Sequence, residues 1–222
     1  MTKIYLIRHC EAEGNLKRTF QGHTDNDITE LGEKQLEFLS KRFADIHLDK
    51  IYSSPLIRAV KTAKAAARGQ HTDITILRGL IELNGGIVED KPFKETFLAH
   101  PDLADAWDNH PEDFAPPGSE PMRYAYERIW NTIRFLVNEN KGKTIAASTH
   151  GGVLRCLFCR LLYGDISRLK DTPWSDNTAI SLLEIDDDMN VNLKFYNDAS
   201  HLPDEFNPKR SKLSSILTEN KK

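Results

Sequence analysis

The chain is short of cysteine, of net charge and of long apolar runs, and each shortage excludes a class of protein. Three cysteines among 222 residues, an odd number, make no disulfide framework and fit a reducing compartment. A formal charge of -3 supplies no long-range field to gather nucleic acid or an anionic membrane, so any anion must be held by a local site. No apolar run approaches the ~20 residues that a membrane span needs. The opening "MTKIYLIRH" has too short an apolar stretch for a signal peptide and no small-residue cleavage site. A cytoplasmic protein without nucleic-acid or membrane partners is the expectation. Internal repeats and low-complexity segments are also missing.

What the chain does have is alternation. Short apolar runs ("KIYLIRH", "KIYSS", "ITIL", "KTIAAST", "AISLLEI", "VNLKFYN") are separated by longer amphipathic or apolar stretches such as "TELGEKQLEFLSKRFAD", "PLIRAVKTAKAAARG" and "VLRCLFCRLLYG". That order predicts an α/β protein, a three-layer α/β/α arrangement with a mostly parallel central sheet. The runs Ile4 to Ile7 and Ile145 to Ala147 lack period-two alternation, as central strands covered on both faces should. The last two strand runs lie close together in sequence and predict an antiparallel edge. From about residue 90 to 121 the alternation lapses into prolines, aromatics and acids, which predicts an insert acting as a lid or binding surface over the carboxyl ends of the strands. One catalytic domain over 1–206 and a polar, basic tail over 207–222 complete the expected layout.

Helix punctuation is legible. Thr29 reads as a cap, Ser54 as a cap with Pro55 at the first helical position, and Gly69 and Gly164 as helix ends. His100 and His110, each followed by proline, read as residues flanking helix starts. Cys156 and Cys159 spell "CLFC" but share an apolar face, so packing is the expected role and no metal site is predicted.

In open parallel sheets, ligands sit beyond the carboxyl ends of the strands, where helices begin. Three stretches put unusual residues there. Arg8-His9 ends the first strand, Arg58 follows Ser54-Pro55, and His150-Gly151-Gly152 ends "TIAAST" and opens a helix. Two arginines and two histidines converging on helix amino termini make an anion site, with phosphate the obvious anion. Adjacent side chains on an extended strand point to opposite faces, so Arg8 and His9 serve one pocket only if the chain leaves the sheet there. Gly14 and the polar run around it permit that departure.

The stretch "LIRHCEAEGN" resembles the Arg-His-Gly-Glu signature of the histidine phosphatase superfamily, also called phosphoglycerate mutase-like. "QGHTDNDITELGEKQ", "IYSSPLIRAVKTA", "LIELNGGIVED", "STHGGVLR" and "WSDNTAISLLEI" are similar to that family's later motifs, in the family's order, over nearly all of residues 3 to 202. The resemblance implies a metal-independent phosphomonoester hydrolase with no cofactor, acting on a small phosphorylated metabolite. His9 would be the nucleophile, forming a phosphohistidine, and must be neutral with its second nitrogen bonded to an acceptor. Arg8, Arg58 and His150 would surround the phosphoryl oxygens. Asn15, Gln21, Gly22 and Gly151 would add contacts to phosphate or substrate. Glu82 would protonate the leaving alcohol and then activate water.

The chain departs from the family pattern in places. Cys10 stands where glycine is usual. It reads as a small residue tolerated in a turn, while its place beside a cationic pocket also suggests an oxidisable thiolate. Asp27 replaces a common proline, and in "PPGSEP" Ser119 precedes Glu120 where the family order is the reverse. Mutases of this scaffold carry a longer insert, so phosphatase is the expected reaction. A phosphoglycerate mutase using the same phosphohistidine is the alternative, and a non-catalytic phospho-ligand binding module the remote one. Trp107, Phe97 and Phe114 of the insert would pack against the alcohol part. Monomer and homodimer both stay open.

Overall fold

The computed structural model describes residues 1–207. Six strands form one sheet: β1 (Thr2–Arg8), β2 (Lys50–Ser53), β3 (Ile74–Ile76), β4 (Thr144–Thr149), β5 (Ile180–Ile185) and β6 (Val191–Asp198), in the order β3-β2-β4-β1-β5-β6. β3, β2, β4 and β1 are mutually parallel. β5 runs antiparallel to both of its neighbours, so the reversed strand lies one place in from the edge and β6 closes the sheet.

The uninterrupted apolar runs have the expected cause. Ile4 and Leu6 of β1 and Ile145 and Ala147 of β4 face one hydrophobic cluster, while Ile7 and Ala146 face another. Each strand therefore buries both of its sides, and period-two polarity has no place in it. The first cluster takes in α6 (Met122–Glu139) and α7 (Gly151–Tyr163), and the second takes in α2 (Glu30–Phe43) and α3 (Ile57–Ala66). Each large side chain buried whole, Phe43 and Phe158 among them, contributes roughly 1.5–3 kcal/mol from apolar burial.

Thr29 caps α2 as expected, its hydroxyl accepting from the Gly32 N–H at 3.0 Å. Gly164 ends α7 in the left-handed region (φ 71°), where a side chain would be strained. The Ser54-Pro55 start needs correcting. α3 begins at Ile57 with Leu56 at its N-cap, so Ser54 lies two residues before the cap; its hydroxyl accepts from the Leu56 N–H at 3.4 Å and lies 2.7 Å from the His150 Nε2. The insert forms two helices, α4 (Phe93–Ala99) and α5 (Pro101–Asn109), plus a 3-10 turn at Pro111–Asp113; His100 and His110 are the residues before those proline starts. The short helix α1 (Glu13–Lys17) follows the end of β1. The expected tail lies outside the described residues from position 208 onward.

Candidate active site

The carboxyl ends of β1 and β4 lie side by side, with Arg8 opposite Thr149. β1 ends at Arg8, and the chain then leaves the sheet with the Thr178 N–H bonded to the Arg8 carbonyl and the His9 N–H bonded to the Thr149 carbonyl. That departure lets both Arg8 and His9 line one cavity of about 460 Å³. Asn15, Gln21, Glu82 and Gly151 line the same cavity.

His9 is 4% exposed, and its Nδ1 lies 2.6 Å from the Cys10 carbonyl, which can only accept, so Nδ1 carries the hydrogen and Nε2 keeps its lone pair. Burial, then the charges of Arg58 and Arg8, hold its pKa well below the ordinary value, against the pull of that hydrogen bond. His150, the residue before α7, is fully buried; its Nε2 lies 2.7 Å from the Ser54 hydroxyl and its Nδ1 has no partner in the protein. The two imidazoles are 5.1 Å apart between centroids. Burial and then Arg58 also push the His150 pKa well down.

Two buried histidines with depressed pKa values carry a sign that can be tested. The unfolded chain takes up protons near pH 6.5 and the native one does not, so their contribution to stability is complete above that pH. It is lost as the pH falls from 6.5 towards the native values, at roughly 1.4 kcal/mol per pH unit for each ring. Urea unfolding at pH 7.0 and 5.5 should show the lower stability at 5.5, and His9→Phe should remove part of the difference.

Glu82 follows a 3-10 turn at Arg78–Leu80 and reaches the amino terminus of α7. Its Oε1 accepts from the N–H groups of Leu83 (3.0 Å) and Val153 (3.1 Å), and its Oε2 from that of Gly152 (3.0 Å). A Cβ on Gly152 would sit 2.9 Å from Oε1 and 2.6 Å from Leu83, so only glycine lets the carboxylate come this close to the helix. Glu120 helps from behind. It forms a two-pronged pair with Arg128, both contacts at 2.7 Å, and Arg128 donates to the carbonyls of Gly79 and Ile81 just before Glu82. Glu120, the second residue of the reversed Ser119-Glu120 pair, thus braces through Arg128 the turn that leads to Glu82.

The two arginines use their donors differently. Arg8 donates through Nη1 to the Ser175 carbonyl, and its Nε has no protein partner. Arg58 is fully buried and spends both terminal nitrogens on carbonyls: Thr24 at 2.8 Å, Gln21 at 3.1 Å and Gly22 at 2.7 Å. Only its Nε is left without a partner, and burial lowers its pKa to about 10. A free two-pronged clamp on phosphate is therefore not what Arg58 presents; it acts on both imidazoles as the largest nearby charge. Gly22 does not line the cavity but offers its carbonyl to that grip. Gln21 does line it, with both amide atoms buried and unpartnered.

Cys10 is fully buried, and burial pushes its thiol up to about 12. The cationic residues therefore do not favour a thiolate, and the oxidation reading loses its premise; small size in a tight place is what Cys10 supplies. Cys156 and Cys159 are likewise buried in α7. Phe114 sits at 3% exposure behind Trp107, 4.8 Å between centroids, and supports the wall without lining it.

Sequence reasoning missed several wall residues: Thr19, Phe20, Leu83, Phe93, Asp108 and Trp174 all line the cavity. It also missed Asn177, whose amide donates to the His9 carbonyl at 3.0 Å. "WSDN" before β5 was the available signal for Trp174 and Asn177.

Against this geometry, the model described as the histidine phosphatase superfamily (branch 1) matches residues 4–198. The chain belongs to the histidine phosphatase superfamily. Phosphoserine phosphatase 1 of Hydrogenobacter thermophilus is 30% identical over 197 residues, which cover 87% of this chain and 92% of that one. Among solved structures, YhfR of Bacillus stearothermophilus superposes with a TM-score of 0.86 at 28% identity, covering 90% of this chain and 99% of that one. A phosphoserine phosphatase of Entamoeba histolytica, solved with phosphoserine, gives 0.77 at 27%, with coverage of 91% and 100%. This histidine phosphatase is accordingly an enzyme of the phosphatase kind, with an α/β sheet of the expected class. No helix among the described residues is long and apolar enough to cross a membrane.

Proposed function

We propose that this phosphatase hydrolyses a small phosphomonoester without a metal, through a phosphohistidine on His9, and that phosphoserine is the first substrate to test. The observation that carries the reading is the His9 ring: Nδ1 is tied to the Cys10 carbonyl, and Nε2 is left as a neutral nucleophile in a cavity that also holds Arg8 and Glu82. In the first step the Nε2 lone pair forms a bond to phosphorus as the ester P–O bond breaks, and Glu82 delivers a proton to the departing oxygen. In the second, Glu82 takes a proton from water, the water oxygen bonds to phosphorus, and the P–N bond breaks to return neutral His9. Arg8, Arg58 and His150 supply the positive charge and hydrogen bonds that a metal supplies elsewhere.

The outer wall favours a small zwitterion. Phe20, Phe93, Phe97, Trp107 and Trp174 give it apolar area, and Asp108 of α5 adds a carboxylate to the lining besides that of Glu82, a match for an ammonium. Two of the three relatives named above are described as phosphoserine phosphatases, which agrees with that match.

A panel of phosphoserine, 3-phosphoglycerate and p-nitrophenyl phosphate, run with EDTA and scored for free phosphate against isomerised product, tests the reading. Free phosphate from phosphoserine, undiminished by the chelator, is expected. Asp108→Asn should raise KM for phosphoserine about 5–10-fold, the scale of a surface ion pair of ~1 kcal/mol, and leave p-nitrophenyl phosphate unchanged. Conversion of 3-phosphoglycerate to its 2-isomer with little free phosphate would establish the mutase instead.

A further inference from the structure

We infer that Glu89, which lies outside the cavity lining, is a positioning residue that locks the substrate-facing loop Gln21–Thr24 to the segment carrying Glu82. The inference rests on the phosphatase reading above and extends it to a residue that touches no reacting atom.

The loop lies between two opposite charges. On its carbonyl side is the Arg58 guanidinium, bonded to Gln21, Gly22 and Thr24. On its N–H side is the Glu89 carboxylate. Oε1 accepts from the His23 N–H at 2.8 Å, and Oε2 accepts from the Thr24 N–H at 3.0 Å and the Thr24 hydroxyl at 2.6 Å. The backbone of four residues is thus held from both sides by charge-assisted hydrogen bonds, the strong kind. Gly22 is what permits the approach: a Cβ there would sit 2.1 Å from Glu89 Oε1.

The same carboxylate reaches the other segment. Glu89 Oε1 also accepts from the Gly85 N–H at 2.6 Å, and the His23 ring, through Nε2, lies 3.0 Å from the Glu82 carbonyl. One half-buried group therefore fixes Gln21, whose buried amide has no protein partner, and Glu82, the acid and base, in a single frame. Burial alone would raise the Glu89 pKa, but its four donors outweigh burial and leave it lowered, as a carboxylate built to stay ionised must be.

If Glu89 acts by placing Glu82, its loss must fall hardest on the step that needs a proton. Glu89→Ala should lower kcat/KM about 100-fold for an alkyl phosphate such as phosphoserine, the scale of a ~1 Å misplacement. It should lower kcat/KM less than 10-fold for p-nitrophenyl phosphate, whose leaving group departs without an acid, because kcat/KM leaves out the shared hydrolysis of the phosphohistidine. Thr24→Val, which removes one donor and keeps the shape, should shift the same ratio in the same direction by about 3-fold, and is read if Glu89→Ala fails to fold. Thermal melts identify folded variants. A folded Glu89→Ala or Thr24→Val enzyme whose alkyl-to-aryl ratio equals that of the parent would overturn the inference. A parent enzyme that releases phosphate from neither ester would overturn the phosphatase reading itself, which separates the two failures.

Discussion

Replacing His9 by alanine should reduce turnover of every phosphomonoester by 10⁴-fold or more, on the order of what removing a covalent nucleophile costs elsewhere. The expected size follows from what the ring alone provides. Arg8, Arg58 and His150 can stabilise charge on a bound phosphate in the variant, but among the described residues no other imidazole lines the cavity. Acid-quenched labelling with phosphorus-32 ester should trap a phosphoimidazole in the parent enzyme and none in His9→Ala. Because His9 is 4% exposed, its truncation leaves a cavity and costs some stability, so a thermal melt accompanies the assay to show that the variant is folded. Full turnover with no label in either protein would sink the covalent route and leave direct attack by water.

Glu82→Gln should cost about 10²–10⁴-fold for alkyl esters, the ordinary contribution of a general acid. The loss should shrink steeply as the leaving alcohol becomes more acidic. Glutamine keeps one acceptor oxygen for the helix amino terminus yet cannot carry the proton, so the fold should survive while chemistry does not. A plot of log kcat/KM against leaving-group pKa should be steeper for the variant than for the parent. Parallel lines would mean that Glu82 is not the acid, and that its three backbone N–H contacts serve structure alone.

Much of the fold was legible because the signals were local. Ile4 to Ile7 and Ile145 to Ala147 read as strands buried on both faces, and the two hydrophobic clusters are the reason. The Thr29 cap and the Gly164 end depend on one or two residues each, and both stand as read. Ser54 did not follow. Its sequence neighbours spell a helix start, but its hydroxyl lies 2.7 Å from His150, 96 positions away, and no local pattern carries that contact.

The candidate site divides along the same line. Arg8, His9, Glu82 and His150 were named from their places at strand ends and from their resemblance to a family, and they do gather around one cavity or beside it. What each does with its hydrogen bonds was hidden. Arg58 reads from sequence as a phosphate clamp, yet three carbonyls of residues 21 to 24 take up its terminal nitrogens. Cys10 reads as a thiol beside cations, yet burial governs it. Trp174 and Asp108, 66 residues apart, meet at the cavity only because the insert folds back over the sheet.

By itself the sequence determined the residue types, the alternation that makes a parallel sheet, and the glycines without which Glu82 and Glu89 have no room. Tertiary structure alone decided which donors meet which acceptors. Backbone preference and hydrophobic period act over a few residues, whereas burial, charge and hydrogen-bond partnership depend on every chain segment that comes within a few ångströms.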